Sequence, residues 1–160
     1  TFHADAPGTT AIDDDATLPS HVRAVSLRSD CISVRSHVPV QSSGKIVYTM
    51  LAEIAREAGC DVLLGAHVDS SVLIVVPKSY RHVFENHGVC EDVAVVCVCG
   101  PNLRATNHAE VLCSLCSRYD VSFIALGTSN SSHCAVVPVD KASALVRDIH
   151  HTLVTSPPSP

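Results

Sequence analysis

The chain has 160 residues, of which 46% are hydrophobic and 17% charged, a composition typical of one compact domain or two very small ones. Its net charge of −5 and its pI near 6.0 argue against a nucleic-acid partner, which usually leaves a basic footprint. The longest wholly apolar run, residues 93–99, is far too short to span a bilayer.

The start of the chain is interpreted as a linker or the end of a preceding domain. Residues 1-20 are rich in Pro, Gly, Thr and Asp and lack the apolar core of a signal peptide. With no secretory signal, the eight cysteines favour reduced thiols. We therefore expect a cytoplasmic protein, or one in a reducing organelle such as a plastid.

The hydrophobic periodicity then predicts a regular succession of strands and helices. In chain order the predicted elements are two strands (22–27 and 31–35), a helix (45–58), two strands (61–64 and 71–76), a helix (79–86), a strand (93–99), a helix (107–119), two strands (121–126 and 133–137) and a last helix (140–153). The first helix has Ser43 as its predicted N-cap and Gly59 as its stop signal. Its apolar positions predict one inner face that includes Ile46 and Met50.

The pattern strand, helix, strand, strand, helix occurs twice. Two anchors of the first copy, Asp61 and Pro77, return as Asp120 and Pro138. A repeat of ~60 residues is too long for a solenoid unit and suits two copies of one small domain. The pattern predicts an α+β fold of two ferredoxin-like βαββαβ modules, with antiparallel sheets and helices on one face.

The sequence contains no motif of a catalytic site that we recognise. It has no glycine-rich phosphate-binding loop and no nucleophile elbow. Cys97-x-Cys99 with Cys113-x-x-Cys116 has the thiolates of a zinc site. The interpretation that we favour is packing of these cysteines in the core, because they lie on apolar faces of a strand and a helix. No catalytic residue and no metal site are therefore assigned.

The junction between the loop and the first helix indicates a binding site. Free backbone N–H groups at the helix start after Ser42 and Gly44 suit a carboxylate. Asp61, at the start of the next predicted strand, suits an ammonium group. Together they form a hypothetical clamp for a small amino acid. The alternative is that Ser43 only caps the helix and Asp61 is a solvated strand end.

Four stretches carry a family likeness. They are P-G-T-T followed by V-R-A-V-S-L-R-S-D-C-I-S-V, then residues 42–77, then V-A-V-V-C-V-C-G, and finally L-G-T-S-N-S-S-H-C-A-V-V-P with the last helix. In their order and spacing they resemble the C-terminal regulatory region of aspartokinases, which carries two ACT modules. The lysine-sensitive type is the most similar.

The resemblance implies a division of the chain into residues 1-20 (linker or end of a kinase domain), 21-90 (first ACT module), 91-155 (second ACT module) and 156-160 (tail). In the family the second module is inserted in the first, which leaves open that the segment after Asp140 completes the first module's sheet. The kinase domain, with its K-F-G-G-T-S motif, is absent from this sequence. ATP and Mg²⁺ would belong to that domain, so no cofactor is expected in this chain.

The function implied is feedback control of an aspartate kinase by L-lysine or L-threonine, which bind between ACT modules of paired subunits. The expected partner is a second copy of the chain or a catalytic kinase chain. Carried over by position, the effector-binding residues are Ser42, Gly44, Lys45, Ile46, Cys60, Asp61 and Gly65. In lysine-sensitive members the residue at Asp61 meets the side-chain ammonium. Two alternatives are a stand-alone ACT assembly subunit without ligand and a thiol–metal protein.

Overall fold

The structure is a computed structural model that describes residues 22–39, 43–68, 70–103, 107–126 and 131–155. Its strands are β1 (Ala24–His37), β2 (Leu64–Val68), β3 (Ser71–Pro77), β4 (Val89–Cys99), β5 (Phe123–Ala125) and β6 (Ser132–Pro138). Its α-helices are α1 (Gly44–Glu57), α2 (Arg81–Phe84), α3 (His108–Cys116) and α4 (Val139–Ile149). A 3₁₀ turn, Lys78–Tyr80, precedes α2, and a π-helical segment, His150–Thr155, follows α4.

The chain packs as two compact units. Of the described residues, unit 1 combines 22–27 with those from 95 to 155, and unit 2 comprises those from 28 to 94. The long strands β1 and β4 are each divided between the units.

Unit 2 has the element order β-α-β-β-α-β and the strand order β2-β3-β1-β4. Strand β3 lies between β1 and β2 and is antiparallel to both, with Ile74 opposite Val34 on one side and Gly65 on the other. Strand β2 is thus an edge of this unit. Five successive residues of β3, Val72 to Val76, are buried, as expected of a central strand.

The core of unit 2 lies where α1 and α2 pack on these strands. Helix α1 buries Val47, Leu51 and Ala55 at i, i+4 spacing. It ends at Gly59, whose φ of +67° is the left-handed conformation that glycine adopts without strain. The buried cluster consists of Ile32, Val34, Val38, Val47, Leu51, Ala55, Cys60, Val72, Ile74, Val76 and Phe84.

Unit 1 has the strand order β5-β6-β4-β1, and its part of β1 supplies the outer strand. The Arg23 N–H donates to the Cys99 carbonyl at 2.8 Å, which joins the two stretches of chain. Helix α4 buries Ala142, Leu145 and Ile149. In the chain the β1 segment precedes β4, α3, β5, β6 and α4. With that segment counted as the last strand, unit 1 has the elements of a circularly permuted βαββαβ module. The predicted α+β class with two ferredoxin-like modules is confirmed.

Several predicted elements differ in the structure. The strands expected at 22–27 and 31–35 form one continuous strand, because residues 28–30 stay extended and the Arg28 side chain bonds to Asp30 at 3.0 Å. The strand expected at 61–64 begins only at Leu64, where pairing with Val75 starts, and runs to residue 68. The helix expected at 79–86 is a 3₁₀ turn followed by one turn of α-helix.

The inner face of α1 also differs from the prediction. Ile46 is 62% exposed and Met50 is 40% exposed, so both lie outside the core. The packing units differ from the predicted modules as well, because residues 24–27 pack with the C-terminal stretch 95–160. The division of the chain into domains at 21-90 and 91-155 stays a prediction.

Candidate functional site

The predicted effector site falls in unit 2, around the start of α1 and the edge strand β2. Gly44, Lys45 and Ile46 form the first turn of α1. Cys60 and Asp61 lie in the segment that leads into β2, and Gly65 is the second residue of that strand. Ser42, the remaining predicted contact, lies outside the described residues.

The start of α1 has the features of an anion site. Ser43 is extended, and its carbonyl accepts the N–H of Ile46 at 3.0 Å. Among the described residues no side chain caps this helix start with a hydrogen bond, and its first turn carries no acidic residue but does carry Lys45. The first N–H groups of a helix carry partial positive charge, so a carboxylate is favoured at this position.

Gly44 is in close contact with the edge strand. A Cβ atom at position 44 would lie 2.2 Å from Cδ2 and 2.4 Å from Nε2 of His67 on β2. The imidazole therefore lies directly against the glycine backbone, in the space that any side chain would occupy. His67 itself is exposed to solvent.

Gly65 of β2 is in similar close contact with a side chain of α1. A Cβ atom there would lie 2.5 Å from Cε2 of Tyr48, a residue of α1 that is 41% exposed. Since Gly65 and His67 are two residues apart on a strand, they face the same side of it. Glycines at both positions let α1 and β2 approach closely, with one ring placed over each glycine.

Cys60 and Asp61 have different environments. The Cys60 side chain is in the core of unit 2, and burial raises the pKa of its thiol. An effector contact from Cys60 would therefore come from its backbone. Asp61 is exposed, and within the described part of the chain its carboxylate has no hydrogen bond or ion pair. That carboxylate is available to an ammonium group.

Two residues of this site were missed by sequence reasoning. His67 falls in a stretch predicted as a connection, and Tyr48 was not distinguished from the rest of the helix. A usable signal was present, because Gly65 and His67 have the period-2 spacing of one strand face.

The thiols predicted as a possible zinc site do not form one in the described residues. No group of three or more His, Cys, Asp or Glu side chains there is placed to hold a metal ion. Cys97 instead lies near Cys134 of β6, and Cys116 lies near Cys113 on α3. Across the same residues, no helix is long and apolar enough to cross a membrane.

Comparison with known proteins gives a consistent answer at the level of fold. No protein-family model and no curated protein matches the chain. Among solved structures, the ligand-free regulatory subunit of aspartate kinase from Thermus thermophilus aligns with a TM-score of 0.67 and 20% identity, over 81% of this chain and 97% of that one. A putative C-terminal regulatory domain of aspartate kinase from Porphyromonas gingivalis gives 0.67 and 14%, over 82% and 96%.

The full-length aspartokinase III of E. coli, in complex with lysine and aspartate, aligns with a TM-score of 0.63 and 20% identity over 83% of this chain. The chain spans only 33% of that enzyme, whereas it spans nearly all of the regulatory subunits. The structural likeness thus extends over most of the chain.

Proposed function

Because the chain has the fold of the regulatory region of aspartokinases, as the resemblance implied, we propose that it is an amino-acid-binding allosteric regulatory region of an aspartate kinase. It would sense lysine or threonine and so control the biosynthesis of amino acids derived from aspartate. Phosphorylation of aspartate by ATP would take place on a separate kinase domain or chain. The E. coli aspartokinase of the same fold was solved with lysine bound.

The observation that carries this proposal is a pair of opposite charges beside α1: the positive start of the helix at Gly44 and the Asp61 carboxylate just beyond its other end, about 20 Å away in the same chain. Ser43 makes no side-chain capping bond at the start of α1, and the first turn has no acidic residue and carries Lys45. The Asp61 carboxylate is exposed and unpaired among the described residues. Lysine bound between two paired subunits would place its carboxylate at the helix start of one subunit and its side-chain ammonium at Asp61 of the other.

Pairing of subunits would couple such binding to a distant kinase site. The edge strand β2 has one side without a partner strand in unit 2, and exposed strand edges are usually covered. Beside it, α1 exposes Ile46 and Met50 between Lys45 and Glu53. A second ACT module, from another copy or from a catalytic chain, would cover both. An effector bound at this surface then shifts the balance between quaternary states.

Calorimetric titration of the chain with L-lysine and with L-threonine tests the proposal. If Asp61 binds the side-chain ammonium, Asp61→Ala should weaken lysine binding by about ten- to a hundred-fold, the range of a charged hydrogen bond. Threonine binding should change by less than about three-fold. Asp140→Ala, which removes an exposed carboxylate of α4, is the matched control and should leave both titrations unchanged.

Two results would contradict the proposal. Absence of heat with either amino acid, on a folded protein, rules out effector binding at this site. Equal weakening of lysine and threonine by Asp61→Ala means that Asp61 does not recognise the side-chain ammonium.

A second candidate function is a stand-alone ACT assembly subunit that binds no ligand. The rings of His67 and Tyr48 favour it, because they fill the space between α1 and β2. This candidate predicts a melting temperature that is independent of lysine and threonine. The effector-binding function predicts one that rises with ligand concentration.

A further inference from the structure

Unit 1 contains a group of thiols that the proposed function does not use. Cys97 and Cys99 lie on β4, Cys134 lies on the neighbouring strand β6, and the Cys97 and Cys134 sulfurs are close enough to shift each other's pKa. Cys99 is close enough to Cys134 to influence its charge. All eight cysteines of the chain are free thiols.

The backbone places Cys97 and Cys134 directly opposite each other. The Gly100 N–H donates to the Ser131 carbonyl at 3.0 Å. Cys97 lies three residues before Gly100, and Cys134 lies three residues after Ser131. The two contacts therefore fit one antiparallel register in which Cys97 faces Cys134 across the strands.

This register also determines whether Cys97 and Cys134 form a hydrogen-bonded or a non-hydrogen-bonded pair of the antiparallel ladder. Residues that exchange backbone hydrogen bonds alternate with residues that do not, and in the second kind the Cα atoms lie ≈4.5 Å apart with the side chains close together. Counting from Gly100 and Ser131, Cys97 and Cys134 form a pair of the second kind. Disulfides span Cα separations of about 4.4–6.8 Å, so a bond between these sulfurs needs little backbone movement.

Cys97 lies on the more accessible side of β4, and Cys134, which faces it from β6, is 9% exposed. Alternate residues of this strand, Ala94, Val96 and Val98, are at most 1% exposed. Cys97 and Cys99 lie on the opposite side and are half-buried. A small polar oxidant can therefore reach the Cys97 side of the sheet, whereas a protein-sized reagent is hindered.

We infer that Cys97 and Cys134 are a cross-strand thiol pair that a peroxide oxidises to a disulfide. One thiolate attacks the peroxide, a new S–O bond forms, the O–O bond breaks, and hydroxide leaves and takes up a proton. The other thiol then attacks this sulfenic sulfur, the S–S bond forms, and the hydroxyl group leaves as water. Two thiols and one hydrogen peroxide thus give one disulfide and two waters.

The two sulfurs shift each other's pKa in opposite directions. Donation by the Cys97 thiol lowers the pKa of Cys134, against the effect of burial. The same hydrogen bond, with burial, raises the pKa of Cys97. The lowered pKa favours the thiolate at Cys134, whereas Cys97 is the more accessible sulfur, and attack by either one leads to the same disulfide. The product joins β4 to β6 within unit 1.

The test is peroxide treatment of the folded 160-residue chain, alkylation of the remaining thiols and tryptic digestion without reductant. The expected product joins the peptide 82–104, which holds Cys97, to the peptide 119–141, whose single cysteine is Cys134. Fragment-ion sequencing of this product shows which of the three cysteines in 82–104 is linked, so the test requires no variant. The melting temperature should rise on oxidation and return on reduction.

Matched variants sharpen the assignment. Cys97→Ser should abolish the linked peptide, while Cys99→Ser and Cys113→Ser should retain it. A link from Cys99 or Cys90 to Cys134 would overturn the inference. It would also be overturned if peroxide oxidised Cys113 while Cys97 and Cys134 both remained free to react with the alkylating reagent. These outcomes do not depend on lysine or threonine binding, so the inference and the proposed function fail separately.

Discussion

Replacement of Gly44 by alanine should displace the ring of His67, and the effect should disappear when that ring is removed. The contact is specific: a Cβ atom at position 44 would lie 2.2 Å from Cδ2, 2.4 Å from Nε2 and 3.0 Å from Cγ of His67. Non-bonded carbons are at their optimum at about 3.5–4.0 Å, so the imidazole must retreat by about 1.3 Å or more.

The size of the effect follows from the position of the ring. His67 is exposed, so it turns out into solvent and the backbone of α1 stays in place. A displaced rotamer costs about 0.5–1.5 kcal/mol, and we expect Gly44→Ala to lower the free energy of unfolding by that amount. In a His67→Ala background the obstacle is gone, and alanine exceeds glycine in helix propensity by up to ~1 kcal/mol. The sign should reverse, which gives a coupling of about 1–2 kcal/mol.

Urea unfolding followed by circular dichroism measures the four free energies of this cycle. With a slope of about 1–3 kcal/mol per molar urea, the shift in midpoint for Gly44→Ala is about 0.5 M. His82→Ala, at an exposed histidine of α2, is the matched control and should combine additively with Gly44→Ala to within ~0.5 kcal/mol. An equal loss from Gly44→Ala in the presence and absence of His67 would refute the contact.

Two further predictions concern unit 2. Phe84 is fully buried in its core, so Phe84→Ala should cost about 3–5 kcal/mol in urea unfolding, whereas Val89→Ala, at a residue that is 63% exposed, should change stability by less than ~0.5 kcal/mol. The Asp92 carboxylate accepts hydrogen bonds from Lys78, at 2.6 Å, and from Arg81, which lower its pKa. These two hydrogen bonds stabilise the fold at pH values above the ordinary pKa of aspartate, and this stability is lost as the pH falls through the lowered pKa of Asp92. In Asp92→Asn the unfolding midpoint should therefore fall less steeply with decreasing pH on the acid side. An unchanged steepness in that variant would contradict the assignment.

The elements that could be predicted are those whose pattern is local. Helix α1 was predicted to within one residue at each end, because Ser43, the i, i+4 apolar spacing and Gly59 all lie in the segment itself. The sequence pattern predicts two strands in place of β1, because Arg28 and its polar neighbours are typical of a turn. In the structure the segment is extended, since one long strand serves both units.

The sequence indicates the charged groups of the candidate site but does not indicate which side chains lie between α1 and β2. The helix start at Gly44 and the carboxylate of Asp61 were recognised from residue types alone. The rings of Tyr48 and His67 were not, because their positions depend on how β2 lies beside α1. That contact joins residues from separate elements, and the start of β2 was itself predicted three residues too early.

The division of β1 and β4 between the units has a consequence for the order in which the chain folds. Unit 2 is contiguous in the sequence, so its contacts close short loops. The outer strand of unit 1, in contrast, must pair with residues that follow all of unit 2 in the sequence. Loop-closure entropy makes such distant pairings slow. Once unit 2 has folded, its ends lie on neighbouring strands and bring the two parts of unit 1 together. Residues 28–94 should therefore act as the folding template, and a truncated chain that starts at residue 91 should lack the outer strand of unit 1.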